Sequence, residues 1–463
     1  MSILIAIIIF SILIVIHEFG HFLAARQAGV KVEKFAIGFG PALVKIKGKE
    51  TLFLICAFPL GGYVKLAGDA RSECKGLKYE FLSKAAGIKM RVVFAGPLFN
   101  YLLALFLFWV IAFVGIPYQD AVIGGVLKDY PAYSSGLEEG DKILEVDGIK
   151  VENWRKASEA IHEAKGEVAL KLERQGKDLA IDVPLREIEA TDKFGRQKKV
   201  FSAGIFPYQK AIVGEVLEEY PASGAGLKKG DKILAVDGVK VGNWVSMSEL
   251  IHKAKGQVAL QIEREGKKIS LDVPVKQEEI TNEDGEKESI SLIGIAPLVE
   301  TKTKRYGFPG AIYKGTELLL DLTANVVRGF WYIIKGDVSF RKGATGPIGI
   351  FYITSKVVKL GIIYIFQLMV LLNVSLAIIN LLPIPILDGG HIVFFFVEKL
   401  RRKPLSEKIE DIYTRIGFVI LGALVIFVFF NDSVKYGPKI WKKIKFWGEN
   451  NNSTKTPLIK EAE

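Results

Sequence analysis

The sequence predicts a multi-span α-helical membrane protein that also carries two β-rich domains. Half of the 463 residues are hydrophobic while 24% are charged, a combination typical of membrane segments joined to water-exposed domains. Four apolar stretches are each near the ~20 residues that cross a bilayer as a helix. Between the second and third stretches the chain is duplicated at a spacing of 90 residues, as from Pro131 to Pro221.

The apolar stretches predict about four transmembrane helices, over residues 3–25, 92–116, 362–382 and 416–430. The fourth stretch is short, so it requires snorkelling flanks or a locally thinner bilayer. The first has no basic residue before its apolar core and no small-residue cleavage site after a short core. This pattern favours a retained anchor over a signal peptide.

Basic residues predict the orientation of these helices. Lys and Arg are frequent in the loop 26–91 and around 399–408, so the positive-inside rule places both in the cytoplasm. Residues 117–359 then lie outside. The basic segment 439–445 contradicts this orientation unless it forms an interfacial amphipathic helix or the fourth span is misassigned. Because topology accounts for the net charge of +11, we expect a lipid bilayer and no nucleic acid as partner.

The region between the second and third stretches contains two copies of one unit. Residues 124–187 align without a gap to 214–277, and more than half of the aligned positions are identical. Short alternating runs broken by Asp-Gly turns predict strands and hairpins, with one helix per copy. His162 and His252 occupy equivalent positions, so we assign both to the fold of the repeat and exclude them from catalysis.

The motif His17-Glu18-Phe19-Gly20-His21 lies inside the first apolar stretch, where ionisable groups mark function by default. On a helix the two histidines lie on one face, one turn apart, which suits two bonds to one zinc ion. Glu18 is placed to accept a proton from water. A chance motif in a structural helix is the alternative, but two of only five His fall here.

A catalytic zinc site usually takes a third protein ligand. The segment 380–391, NLLPIPILDGGH, directly follows the third apolar stretch. Pro383 and Pro385 prevent an ordinary helix, and open backbone at membrane depth must be buried in protein or line a wet cavity. Asp388 is the preferred ligand, since two imidazoles and a carboxylate form a known catalytic set, and His391 is its rival or its hydrogen-bonding partner. Both motifs are expected near the cytoplasmic ends of their helices.

These motifs together resemble the site-2 protease family of intramembrane metalloproteases, in its bacterial form with tandem PDZ domains. The GLxxGDxIxxVdG pattern of each repeat copy resembles PDZ domains on its own. The other matching segments span nearly the whole chain: HEFGH at 17–21, GFGP at 38–41, PLGGYVKL at 59–66, AGPLFN at 95–100, TGPIGI at 345–350 and NLLPIPILDGGH at 380–391.

The resemblance implies zinc held by His17, His21 and Asp388, with Glu18 activating water. It further implies residues that bind the substrate backbone, partly on a membrane-associated β-hairpin in the loop 30–90: Asn380, Gly38, Phe39 and Gly40. The expected domains are two membrane parts, 1–116 and 362–432, two PDZ-like domains, 117–207 and 208–298, an amphipathic linker, 299–361, and a basic tail, 433–463.

The resemblance implies an endopeptidase of the bacterial inner membrane whose PDZ-like domains lie outside the cytoplasm. Its substrates would be transmembrane proteins, single-span and in some cases already cut once, such as an anti-sigma factor or a signal-peptide remnant. The PDZ-like pair would bind peptides by strand addition, screen substrates by size, or act only as a spacer. A peptide-binding scaffold without chemistry and an ion transporter are the alternatives. The transporter requires charged groups in 92–116 and 416–430, which have none.

Overall fold

A computed structural model of the chain describes residues 2–281 and 287–453, with side chains over 4–59, 61–279, 289–341 and 343–438. The chain divides into two compact units. One is formed by residues 1–116 with 305–463, and the other by 117–304. Residues 454–463 of the expected basic tail lie outside the described residues.

The helices of the described residues are, in chain order, α1 Ser2–Gln27, α2 Ala86–Val114, α3 Pro131–Ser134, α4 Trp154–Glu163, α5 Pro221–Gly224, α6 Trp244–Lys253, α7 Phe308–Lys335, α8 Phe340–Gly343, α9 Pro347–Val357, α10 Ile362–Asn380, α11 Asp388–Arg401 and α12 Glu407–Ser453. A 3-10 turn follows α9 at Val358–Leu360.

The strands are β1 Val32–Lys47, β2 Leu52–Leu66, β3 Ile116–Tyr118, β4 Ile123–Val126, β5 Lys142–Val146, β6 Ile149–Lys150, β7 Glu167–Arg174, β8 Lys177–Pro184, β9 Arg186–Thr191, β10 Gln197–Ser202, β11 Ile205–Pro207, β12 Val213–Val216, β13 Lys232–Val236, β14 Val239–Lys240, β15 Gln257–Arg264, β16 Lys267–Pro274, β17 Lys276–Thr281, β18 Lys287–Leu292, β19 Ile295–Pro297 and β20 Lys302–Lys304.

Four helices in the described part of the chain are long and apolar enough to cross a membrane, and each overlaps a predicted stretch. They are Leu4–Gln27, Ala86–Val114, Ile362–Asn380 and Glu407–Pro438. The fourth helix extends beyond the predicted stretch 416–430, since it begins at Glu407 and continues past Phe430. The added turns are mostly polar, so the helix is longer than its apolar core, and the requirement for snorkelling flanks or a thinner bilayer stays a prediction.

Helix α2 is the centre of the helical unit, where it packs against α1, α7, α10 and α11. Apolar side chains from four helices fill the space between them, among them Leu13, Ile111, Leu319 and Val370. A Cβ atom at Gly20 would lie 2.3 Å from the Ala95 carbonyl oxygen. Only glycine therefore lets α1 approach α2 this closely beside the two histidines.

The long loop between α1 and α2 contains an irregular antiparallel hairpin of β1 and β2. Gly38 and Gly40 have φ angles of +85° and +88°, which a side chain would strain, and they lie where the register of the hairpin shifts. A Cβ atom at Gly62 would meet the Glu18 Cγ atom at 3.3 Å, so β2 runs beside α1 at the HEFGH motif. The hairpin implied by the resemblance is thus present, and its membrane association stays a prediction.

In the second unit the two repeat copies build the same elements. Each has an antiparallel four-stranded sheet, β6-β5-β7-β8 or β14-β13-β15-β16, and its first short strand pairs with its last, β4 with β11 and β12 with β19. Asn153 and Asn243 cap the N-termini of α4 and α6. The buried cores use matching positions of the repeat: Ile123, Ile143, Leu170, Leu172 and Val183 in the first copy, and Val213, Ile233, Leu260, Ile262 and Val273 in the second.

Candidate metal centre

Three potential metal ligands meet inside the helical unit. His17 and His21 project from one face of α1, and their Nε2 atoms are 3.2 Å apart. The Asp388 carboxylate reaches both rings, with Oδ2 3.2 Å from His17 Nε2 and Oδ1 3.6 Å from His21 Nε2. Among the described residues these three form the group whose donor atoms all lie within 4.8 Å of one another.

A strained loop places Asp388 at the first position of α11. Helix α10 ends at Asn380, and the Pro-containing loop turns the chain back before α11 begins. Ile386 has a φ of +79°, which is costly for a β-branched residue and is found mainly where surrounding structure enforces it. Cβ atoms at Gly389 or Gly390 would lie 2.2–2.3 Å from carbonyl oxygens of this loop. The glycine pair is therefore required for the loop to fold over the start of α11.

The two imidazoles pack against helix α2. The Val92 carbonyl accepts a hydrogen bond from His21 Nδ1 at 2.9 Å, and the Asn100 side chain lies 3.5 Å from His17 Nδ1. A Cβ atom at Gly96 would lie 2.3 Å from His21 Nε2, so any larger residue would displace the ring. The rings are thus held between α1 and a helix that contributes no ligand itself.

Glu18 and Asn380 lie at the edges of the cluster. The Glu18 carboxylate accepts a hydrogen bond from the Val64 backbone N–H of the hairpin and interacts electrostatically with both histidines and Asp388. Asn380, the last residue of α10, has its amide nitrogen 3.5 Å from His17 Nε2. The Glu18 carboxylate is outside the group of three potential metal ligands and lies beside it, a position that suits a general base.

The remaining predicted residues lie on β1, on α11 and in the two repeat copies. Phe39, between Gly38 and Gly40 on β1, is 48% exposed and stacks on Tyr63 with ring centres 6.4 Å apart. His391 stacks on Phe395 and does not join the described ligand group. His162 and His252 lie on α4 and α6 of the repeat unit.

The donor set fits a zinc ion. Two ligand bonds of about 2.0–2.1 Å at a tetrahedral angle hold their donor atoms roughly 3.3 Å apart. The two Nε2 atoms are 3.2 Å apart, and Asp388 approaches them through different oxygens, Oδ2 at 3.2 Å from His17 and Oδ1 at 3.6 Å from His21. Two imidazole nitrogens and one carboxylate are also a donor set that catalytic zinc sites use, with the remaining position left open.

No role at the site was predicted for Val92, Gly96 or Asn100, although Gly96 and Asn100 belong to the matching segment AGPLFN at 95–100. Asn100 also carries a second signal, because it is an amide side chain within a strongly apolar span, where polar groups mark function. Val92 has no such signal, because its backbone carbonyl acts only through the packing of α2 on α1.

Comparisons with known proteins agree over almost the whole chain. The model of "Peptidase family M50" matches residues 5–424. The regulator of sigma-E protease RseP from Escherichia coli is 34% identical over 442 residues, which cover 92% of this chain and 97% of that protein. A Pasteurella multocida protein, provisionally named a zinc metalloprotease, is 33% identical over 93% of this chain and 98% of its own length.

Among solved structures, the PDZ domain of an SdrC-like protein from Listeria monocytogenes is 26% identical. It covers 20% of this chain and 90% of that domain. Its TM-score of 0.16 is too low to support a conclusion about the fold.

Proposed function

This chain belongs to peptidase family M50, the site-2 proteases, and is a metallopeptidase; from that premise we propose that it is a zinc-dependent intramembrane endopeptidase. It cleaves peptide bonds within the transmembrane segments of other membrane proteins. One observation carries the proposal: His17, His21 and Asp388 bring their donor atoms together on helices of a unit that contains the four candidate spans.

In this proposal His17, His21 and Asp388 hold the metal, and Glu18 is the catalytic base. When bound, zinc supplies Lewis acidity and brings the pKa of a coordinated water near 7. Glu18 accepts the proton of the attacking water and then donates it to the leaving amine. The Val64 N–H, which donates to the Glu18 carboxylate, orients it toward the cluster.

We assign substrate binding to the hairpin of β1 and β2 and to Asn380. A transmembrane helix keeps its carbonyls in internal hydrogen bonds, so it must unwind locally before hydrolysis. The irregular backbone around Gly38, Phe39 and Gly40 offers N–H and C=O groups to an extended substrate by strand addition. Asn380, whose amide lies beside His17, is close enough to the ligand cluster to bond the substrate backbone near the scissile bond.

The proposed location is the bacterial inner membrane, with the domains 117–207 and 208–298 outside the cytoplasm. Basic loops at 26–91 and 399–408 support this orientation. The E. coli relative is named as a regulator of sigma-E protease, which supports a membrane protein that controls a sigma factor as a substrate class. We propose an anti-sigma factor, single-span and already cut once, as the substrate within this class. Signal-peptide remnants are a second class of the same chemistry.

The decisive test is the variant Glu18→Gln. It keeps the shape of the side chain and removes its basicity, so turnover of a model transmembrane substrate should fall by about 10²–10⁴-fold or more, with zinc content unchanged. Purified wild type and variant are compared for cleavage and for bound zinc, and Glu163→Gln on exposed α4 is the matched control. Full activity in Glu18→Gln would remove Glu18 from this role.

The repeat pair is proposed to screen substrates by size before they reach the metal. Deletion of residues 122–280 should then allow cleavage of precursors with bulky external domains, because nothing hinders their approach. The measurement compares one substrate carrying a short and a folded external segment. If the deleted enzyme still cuts the short one and still rejects the bulky one, the screening role is wrong.

A further inference from the structure

Two buried amide oxygens in the described residues have no hydrogen-bond partner, Oδ1 of Asn100 and Oδ1 of Asn373. Both side chains are 0% exposed, on α2 and α10. A buried acceptor without a partner costs about 1–3 kcal/mol, and such atoms in native proteins call for a reason. For Asn373 the amide nitrogen at least bonds the Met369 carbonyl within its own helix. Asn100 faces a ligand ring instead.

The Asn100 amide lies 3.5 Å from His17 Nδ1, with its nitrogen directed at the ring. If His17 binds metal through Nε2, as the 3.2 Å approach to Asp388 indicates, the ring proton sits on Nδ1. An amide NH₂ and an Nδ1–H are both donors and cannot bond each other. Rotating the amide by 180° places Oδ1 at the ring, an assignment that X-ray density itself rarely distinguishes.

The rotated amide removes the conflict between the two donors at His17. Oδ1 then accepts from Nδ1–H after a movement of about 0.5 Å, which reaches the ordinary N–H···O distance of about 3.0 Å, and the NH₂ group takes the position that Oδ1 leaves. It also gives His17 the kind of partner that His21 already has, since the Val92 carbonyl accepts from His21 Nδ1. Helix α2 would then supply an acceptor to each imidazole of the proposed site, from two residues about two turns apart.

We propose that Asn100 is a positioning residue of the metal centre, whose side-chain oxygen accepts a hydrogen bond from His17 Nδ1–H. This bond holds His17 in the tautomer that leaves Nε2 free for the metal, and it keeps the ring turned toward His21 and Asp388. The inference rests on the proposed zinc site. Outer partners of this kind typically change metal affinity by 10–100-fold when they are removed.

The test is zinc affinity in the purified full-length protein, measured by competition with a chelator. Asn100→Leu removes the acceptor at similar volume and should weaken zinc binding by about 10–100-fold. Asn100→Asp keeps an acceptor for Nδ1–H and should return the affinity to near the wild-type value. Asn373→Leu removes an equally buried, equally unsatisfied amide that touches no ligand in the described structure, so its zinc affinity should match wild type.

Wild-type affinity in Asn100→Leu would overturn the inference. So would an equal loss in Asn373→Leu, because the effect would then come from packing. Should Asn100→Leu not fold, Asn100→Ala removes the acceptor without a steric clash and is judged by the same comparison with Asn100→Asp. Failure of the proposed function looks different: the wild type binds no zinc, or Asp388→Asn binds it as the wild type does.

Discussion

Buried polar side chains are organised differently in the two units. In the repeat unit, Asp141 and Asp231 are each 1% exposed, and each accepts hydrogen bonds from Nε and Nη2 of one arginine and from a backbone N–H. In the helical unit, His17 and its neighbours contact mainly one another, and the Asn100 oxygen has no partner at all.

The two arrangements show how an ion pair that stabilises the fold differs from a candidate metal site. The Asp–Arg pairs satisfy their own charges and hydrogen-bond capacity, so they require nothing further and serve the fold of each copy. The donor atoms of His17, His21 and Asp388 instead lie within 4.8 Å of one another with no arginine or lysine paired to them among the described ion pairs. Such a group of donors is a candidate metal site.

The largest expected change is the loss of zinc affinity in Asp388→Asn. The amide is a much weaker metal ligand than a carboxylate, so zinc affinity should fall by more than the roughly 100-fold expected for an outer partner. The unfolding temperature of the metal-free protein should change little. Zinc titration and thermal unfolding of the same sample measure the two. Unchanged zinc content would instead indicate that His391, and not Asp388, is the third ligand.

Asp231→Asn should instead lower the stability of the protein and leave its zinc affinity unchanged. It leaves Arg264 without its charge partner in a bidentate pair, which costs on the order of 3 kcal/mol of the stability of the second copy, while zinc binding is unaffected. Hydrogen exchange of β13 and β15 in the full-length protein reports the stability, and Asp272→Asn on exposed β16 is the control. Loss of zinc in Asp231→Asn would contradict the conclusion that the Asp–Arg pairs serve only the fold of the repeat copies.

The smallest effect concerns pH. Burial alone would raise the pKa of Asp231, but the hydrogen bonds from Arg264 and the Lys228 backbone N–H outweigh it and lower this pKa. A carboxyl group with a lowered folded pKa stabilises the protein above its unfolded value of about 3.9, and this stability is lost as pH falls through the folded value. Protection of β15 from hydrogen exchange should therefore decline below about pH 5. The decline should be shallower in Asp231→Asn, and an identical decline would contradict the assignment.

Much of the architecture followed from local patterns. The i, i+4 spacing of His17 and His21 dictates one helical face wherever the helix forms, and the 90-residue repeat dictates two similar domains. The four apolar stretches indicated the candidate spanning helices, and the fourth helix continues beyond its stretch through polar turns that hydropathy does not mark. The assignment of metal and substrate roles to these residues stays a prediction.

Neighbours along the chain suffice to predict that His17 and His21 share one helical face, that the helix breaks at Pro383 and Pro385, and that the repeat forms two similar domains. The position of Asp388, and not His391, against the two rings is a property of the tertiary structure, as is the packing of α2 on them through Gly96 and Asn100. These choices depend on how helices far apart in the chain pack, and no local pattern encodes which atoms then come within a bond's reach.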